Sequence, residues 1–218
     1  YSCGKFSFEP GHKLGEPEIL FTKIEDKTIE EQINKLGGAD NPPKEIVEEI
    51  GGGLQNNQTF KAVQIGGPSG GCIPAEHADT PVDYNYLTQM GAMMGSGGLI
   101  VLDNTDCIVD ITKYFLTFTQ NQSCGKCVYC RVGTKYMLDI LEKITTGKAV
   151  ADDLDKLEKL AHQIKKGTSC GLGKSAPNPV LSSLKYFREE YEAHLKGFCP
   201  ANKCKELIVY SINNSCIG

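Results

Sequence analysis

Three cysteines that follow one another at intervals of two residues are the feature of this chain with the clearest chemical meaning. They are Cys124, Cys127 and Cys130, and Cys170 comes after a further 39 intervening residues. A loop with this spacing offers three thiolates to three corners of a [4Fe–4S] cube, while a distant segment supplies the fourth. The spacing therefore predicts a [4Fe–4S] cluster and a role in electron transfer.

Zinc and disulfides are the alternatives for these cysteines. A structural zinc site usually pairs C-x2-C with a second C-x2-C or with two histidines, so a third cysteine at the same interval has no use there. Disulfides are typical of small secreted chains that cannot build a core, whereas this chain has 218 residues and 40% apolar content. Residues 1–10 lack a signal-peptide pattern, and no long apolar run follows. We expect a cytoplasmic protein without direct membrane insertion.

Composition narrows the function further. The net charge is −4, and the lysines and arginines are scattered among acidic residues, so the sequence does not favour a nucleic-acid partner. Ten cysteines in an intracellular chain indicate metal binding or redox chemistry. The four histidines are spread out, and the sequence offers no Ser-His-Asp or Cys-His arrangement for nucleophilic catalysis. An electron relay therefore fits better than a complete active site.

The first half of the chain combines short strands, turns and helices. Residues 1–43 receive no domain assignment, although their pattern predicts a helix over Lys23–Leu36. The predicted elements that follow are a helix opened by Pro42 and Pro43, strands at Phe60–Ile65 and Leu99–Leu102, and a helix over Tyr84–Met90. Glycine-rich runs between the strands lack the endings of nucleotide-binding loops, so tight turns are favoured over a phosphate site.

From Asp110 onward, apolar stripes predict four helices around a common core. The stripes are Ile111–Phe118; Val132, Tyr136, Ile140 and Ile144; Leu154, Leu157, Leu160, Ala161 and Ile164; and Val180, Leu181, Leu184, Phe187, Tyr191 and Leu195. Asn178 and Pro179 are the predicted N-cap and first residue of the last helix. The cluster cysteines then lie near helix N-termini, whose N–H groups stabilise a negatively charged cluster. Lys126 and Arg131 flank these cysteines. They either raise the reduction potential of the cluster or are ordinary solvated charges.

The motifs around the cysteines resemble a known family. Residues 123–134 (SCGKCVYCRVGT) and 186–194 (YFREEYEAH) are similar to the C-terminal part of the NADH-binding flavoprotein subunit of respiratory complex I. They resemble still more the β subunit of NAD-dependent, electron-bifurcating iron hydrogenases. Residues 64–74 (QIGGPSGGCIP) are similar to the soluble-ligand-binding β-grasp domain that precedes the cluster domain in that family.

The resemblance implies an α+β fold with four parts. These are an unassigned segment (1–43), a ubiquitin-like β-grasp domain (44–109), a four-helix [4Fe–4S] bundle (110–196) and a linker (197–218) that enters a ferredoxin-like domain, in which Cys216 alone cannot hold a cluster. It also implies electron relay from FMN to partner iron–sulfur subunits, including a thioredoxin-like [2Fe–2S] subunit. In that family FMN and NADH bind in an upstream domain marked by a glycine-rich loop, and nothing in this sequence resembles that loop.

A second group of metal ligands follows the last predicted helix. His194, Cys199 and Cys204 lie within eleven residues, and zinc accepts such mixtures of nitrogen and sulfur. The fourth ligand is Cys107 or Cys72, and we prefer Cys107 because it directly precedes the helical region. Free thiols and buried cysteines are the alternative for this group. If zinc also occupied the first cysteine group, the protein would be a zinc-stabilised interaction module without redox activity.

Overall fold

The computed structural model describes residues 42–55, 58–95 and 97–208. Within these ranges the chain has a small antiparallel sheet followed by a larger set of helices, which confirms the predicted α+β class. The predicted helix Lys23–Leu36 and the cysteine Cys216 lie outside the described residues.

The sheet has three strands in the order β2-β1-β3, with both pairings antiparallel. The strands are β1 (Phe60–Ile65), β2 (Gly71–Pro74) and β3 (Leu99–Asp103). Val63 is paired with Ile73 on one side and with Val101 on the other. Helix α1 (Pro43–Glu45), which continues as a π-helical turn (Ile46–Ile50), precedes the sheet, and α2 (Tyr84–Gln89) lies between β2 and β3 in the chain.

Both faces of the central strand β1 are buried. Val63 and Ile65 pack with Leu87 of α2, whereas Ala62 on the opposite face packs with Ile108 from the helical half. Burial on both faces leaves β1 without an alternating apolar and polar pattern, and its polar residues Lys61 and Gln64 lie among apolar ones.

The helical half contains six α-helices among the described residues. They are α3 (Ile108–Asn121), α4 (Thr134–Thr145), α5 (Ala151–Gly167), α6 (Gly171–Ser175), α7 (Asn178–Tyr186) and α8 (Arg188–Leu195). A π-helical turn (Tyr129–Gly133) leads into α4. The shared core includes Leu116, Met137, Leu157 and Val180, each buried.

Two predictions about these helices were wrong. The fourth predicted helix is broken at Phe187, which has φ −128° and ψ 33°, so the chain forms α7 and α8 instead. Acidic residues in the first turn of α8 favour this new helix start because of the helix dipole. In addition, Val132 and Tyr136 are 53% and 50% exposed, so the predicted stripe of α4 is core only in its later part.

Two further differences concern local chemistry. Asn178 is not a capping residue: its Oδ1 accepts a hydrogen bond from Lys165 (2.9 Å), and its Nδ2 donates one to the carbonyl of Ser69 (3.3 Å). Strand β2 was not predicted, because its first residues, Gly71 and Cys72, end a glycine-rich run for which tight turns were expected. Glycine and proline both weaken a strand pattern, and proline is accepted at the end of an edge strand.

Candidate metal centres

The loop that carries Cys124, Cys127 and Cys130 is held by its own hydrogen bonds. It begins after the end of α3, and Gly125 adopts a left-handed φ of 76° that favours glycine. Arg131 donates a hydrogen bond from Nη1 to the carbonyl of Gly125 (3.1 Å), and Ser123 Oγ lies 3.3 Å from Cys130 Sγ. The exposed guanidinium of Arg131 thus braces the loop as well as placing a positive charge near it.

The segment with Cys170 meets this loop at Cys127. Hydrogen bonds from the backbone N–H and the hydroxyl of Ser169 lower the pKa of the Cys127 thiol and favour its thiolate. Behind this contact the ring of Tyr129 covers Gly167, where an added Cβ would lie 2.7 Å from a ring carbon. Two contacts therefore join the segment that carries Cys170 to the loop that carries the other three cysteines.

The four cysteines differ in exposure. Cys130 is buried, Cys127 is partly buried, and Cys124 and Cys170 are exposed. Among the residues that the structure describes, these four thiols do not lie close enough together to bind one metal ion as a group. Sequence analysis missed the part played by Ser169 and Tyr129, although both lie next to or between the predicted ligands.

A second group of side chains is gathered at the end of the helical half. The potential ligand atoms of Cys107, His194, Cys199 and Cys204 all lie within 4.8 Å of one another, and all four residues are buried. His194 Nε2 is 3.3 Å from the sulfurs of Cys107 and Cys204, which are 3.8 Å apart. Cys107 precedes α3, His194 belongs to α8, and the other two follow α8. Cys72 is buried elsewhere and is not a member of this group.

The electrostatics of this second group favour a cation. Burial lowers the pKa of His194, but the hydrogen bond to Cys107 and the charge of its thiolate outweigh burial and raise that pKa to about 9. The hydrogen bond between Cys199 and Cys107, together with burial, raises the pKa of the Cys199 thiol to about 12. A buried thiol whose pKa is raised in this way ionises more readily when a positive charge is bound beside it.

The fold and the cysteine groups define a metal-binding helical region attached to a small sheet. Residues 110–194 match the family model for the NADH-ubiquinone oxidoreductase-F iron-sulfur binding region. These residues belong to that family, which confirms the resemblance seen in the sequence.

Similar proteins are subunits of hydrogenases and of NADH-quinone oxidoreductases. HndC, a subunit of the NADP-reducing hydrogenase of Solidesulfovibrio fructosivorans, is 45% identical over 177 residues, which cover 80% of this chain and 36% of the relative. A subunit of the NADH-quinone oxidoreductase of Streptomyces coelicolor is 39% identical over 158 residues, which cover 72% of this chain and 35% of the relative. The chain therefore spans about a third of the length of these curated relatives.

A solved structure shares part of the fold. The NAD+-reducing [NiFe]-hydrogenase in its H2-reduced state matches with a TM-score of 0.57 and 36% sequence identity, over 63% of this chain and 24% of that one. In the part of the chain that the structure describes, none of the helices has the length and apolar character needed to cross a membrane.

Proposed function

We propose that this protein relays electrons in an NADH-dependent oxidoreductase subunit through one [4Fe–4S] cluster bound by Cys124, Cys127, Cys130 and Cys170. The observation that carries the proposal is the packing of the Tyr129 ring against Gly167, because it brings the distant cysteine segment to the three-cysteine loop within a family region that binds iron and sulfur. Such a cluster supplies one-electron transfer.

The protein surroundings suit a cluster with negative charge. Ser169 lowers the pKa of the Cys127 thiol by hydrogen bonding, and hydrogen bonds to ligand sulfurs raise the reduction potential of such centres. Lys126 and Arg131 are exposed beside the ligands, so their charges act through water and have a smaller influence.

The parent assembly that we propose is an NAD-linked hydrogenase, and an electron-bifurcating one in particular. The support is the identity of 45% to HndC, compared with 39% to the relative from the NADH-quinone oxidoreductase. In this proposal electrons come from FMN, reduced by NADH elsewhere in the complete subunit, and pass to partner iron–sulfur subunits, including a thioredoxin-like [2Fe–2S] subunit. The domain plan is a β-grasp domain at 44–109, a helical cluster domain at 110–196 and a linker at 197–218.

A second proposal concerns the group around His194. We propose that Cys107, His194, Cys199 and Cys204 bind one zinc ion that ties the end of the helical region to the residues before α3. A tetrahedral zinc ion with bonds of about 2.3 Å to sulfur and about 2.0 Å to nitrogen separates two sulfurs by about 3.8 Å, and sulfur from nitrogen by about 3.5 Å. The corresponding distances here are 3.8 Å and 3.3 Å.

Metal analysis separates these proposals from a zinc-stabilised interaction module without redox activity. The purified chain should contain about four irons and one zinc, and dithionite reduction should produce the electron paramagnetic resonance signal of a reduced [4Fe–4S] cluster. A colourless protein that contains only zinc would favour the interaction module. An iron–sulfur protein without zinc would keep the first proposal and remove the second.

A further inference from the structure

One buried ion pair connects the sheet to helix α8. Lys61 Nζ lies 2.6 Å from Glu190 Oε1, and the two side chains are only 17% and 14% exposed. In the other ion pairs of the described residues each side chain is at least 32% exposed. Burying two charges carries a desolvation penalty that exposed pairs avoid, so a gain in stability does not by itself explain this pair. Its further contacts indicate its role.

The pair holds the backbone on both sides of Cys107. Lys61 Nζ donates a hydrogen bond to the carbonyl of Asp106 (2.6 Å). The N–H of Ile108, on the opposite side of Cys107, donates one to Glu190 Oε2 (3.2 Å). The two peptide groups that flank the cysteine are therefore fixed by two oppositely charged side chains, which are themselves joined.

The same glutamate residue also orients His194, one helical turn later. The carbonyl of Glu190 lies 2.6 Å from His194 Nδ1, and because a carbonyl only accepts, Nδ1 carries the hydrogen. Nε2 faces Cys107 and Cys204, and its lone pair is directed at them once Nε2 has lost its proton. A histidine ligand whose second nitrogen donates to a carbonyl has a fixed tautomer and ring orientation.

We propose that Glu190 and Lys61 are positioning residues of the second metal centre, and that they fix the separation between Cys107 and His194 before the ion binds. This inference rests on the proposed zinc site. The two ligands are 87 positions apart in sequence and lie on different elements. Glu190 belongs to the helix of one ligand and holds the backbone of the other, so a single residue determines their separation. Lys61 adds the sheet to the same framework.

The experiment measures zinc and iron together in the full chain. Wild-type protein and the variants Glu190→Gln, Lys61→Met and the double variant are equilibrated with a graded series of zinc chelators, and both metals are then counted. Glu190→Gln turns an amide N–H2 toward the Lys61 ammonium or toward the Ile108 N–H, and one hydrogen bond is lost in either case. We expect zinc to bind about 10–100-fold more weakly in each single variant, with the iron content unchanged.

Two comparisons make the test specific. Glu192→Gln removes the same charge from the same helix, but its partner is the exposed Arg188 (3.6 Å), so zinc binding should stay at the wild-type level. The double variant should bind zinc about as well as either single variant, since residues that act as one unit are not additive. Zinc-edge X-ray absorption should show a weaker sulfur contribution in Glu190→Gln than in wild type, with the imidazole contribution retained, because the substitution leaves the Glu190 carbonyl in place.

Each failure has a separate meaning. Wild-type protein that holds no zinc would overturn the zinc site itself. Zinc binding in Glu190→Gln and Lys61→Met that equals wild type, or single-variant losses that multiply in the double variant, would overturn the positioning role and leave the site standing. Loss of helical content in both variants would also overturn the positioning role, because the ion pair would then stabilise the whole fold rather than the metal centre.

Discussion

Replacing Gly167 by alanine tests how the two cluster segments are held together. The new Cβ would lie 2.7–2.8 Å from the Tyr129 ring, so the ring must move out toward solvent. Tyr129 lies between Cys127 and Cys130, and Gly167 lies three residues before Cys170. The substitution should therefore loosen the contact between the ligand-bearing segments as well as the local packing.

The magnitude follows from the exposure of Tyr129. An aromatic side chain buries about 150–250 Å² on folding, and since Tyr129 is 51% exposed, its buried part is about 100 Å², or about 2.5 kcal/mol. Alanine is favoured over glycine in a helix by about 1 kcal/mol, which offsets part of this loss. We expect a net destabilisation of about 1.5 kcal/mol and a fall of about 3–6 °C in the temperature of cluster loss.

The assay is thermal loss of cluster absorbance together with iron retention. Gly171→Ala is the matched control, because its Cβ would meet nothing within 4 Å and it borders Cys170 on the other side. In a Tyr129→Ala background the clash is absent, so Gly167→Ala should become neutral or stabilising. Equal behaviour of the Gly167 and Gly171 variants, or destabilisation that persists without the tyrosine ring, would refute this account.

Three other predictions concern the rest of the molecule. The pKa values of His194 and Cys199 are raised to about 9 and about 12, so both groups hold protons that zinc must displace. The zinc affinity should therefore fall by at least about tenfold for each pH unit below 8. Chelator competition that does not depend on pH would contradict this prediction. Tyr191→Phe removes a buried hydrogen bond to Ser183 (2.7 Å) and should lower the free energy of unfolding in urea by about 1 kcal/mol. Adding Ser183→Ala to this variant should cause little further loss. Unchanged stability of Tyr191→Phe would show that the bond contributes nothing. The chain alone should not oxidise NADH with an artificial acceptor, and stoichiometric FMN in the purified protein would contradict that expectation.

Features that depend on local pattern could be predicted from the sequence. Strand β3 was recognised from its apolar run, β1 from a short stretch rich in apolar residues, and the short helix α2 from its flanking turns. Both groups of potential metal ligands were predicted from spacing, because cysteine and histidine at short intervals have few other uses, and the group around His194 is the one whose ligand atoms the structure brings together. The preference for Cys107 over Cys72 followed from chain order alone, and the structure gathers Cys107 with His194.

Features that depend on tertiary contacts could not be predicted. The break at Phe187 interrupts an apolar stripe that fits one long helix, and nothing in the local pattern marks it. Val132 and Tyr136 continue an i, i+4 series into Ile140 but face solvent, because such a series drifts by about 40° per step around a helix. The buried face of α4 runs through Met137, Ile140, Leu141 and Ile144 instead. Glu190 has the pattern of an ordinary helix-surface acid, and its pairing with Lys61 appears only when the sheet and α8 meet.

The most direct test of the central claim is the iron content and spin state of the Cys170→Ala protein, compared with Cys72→Ala. Cys170 is the distant fourth ligand in the proposal, and Cys72 is a buried cysteine outside both groups. We expect Cys72→Ala to keep about four irons and the reduced-cluster signal, whereas Cys170→Ala should lose the [4Fe–4S] signal and part or all of its iron. An intact [4Fe–4S] cluster with unchanged iron in Cys170→Ala would contradict the assignment of the cluster to these four cysteines.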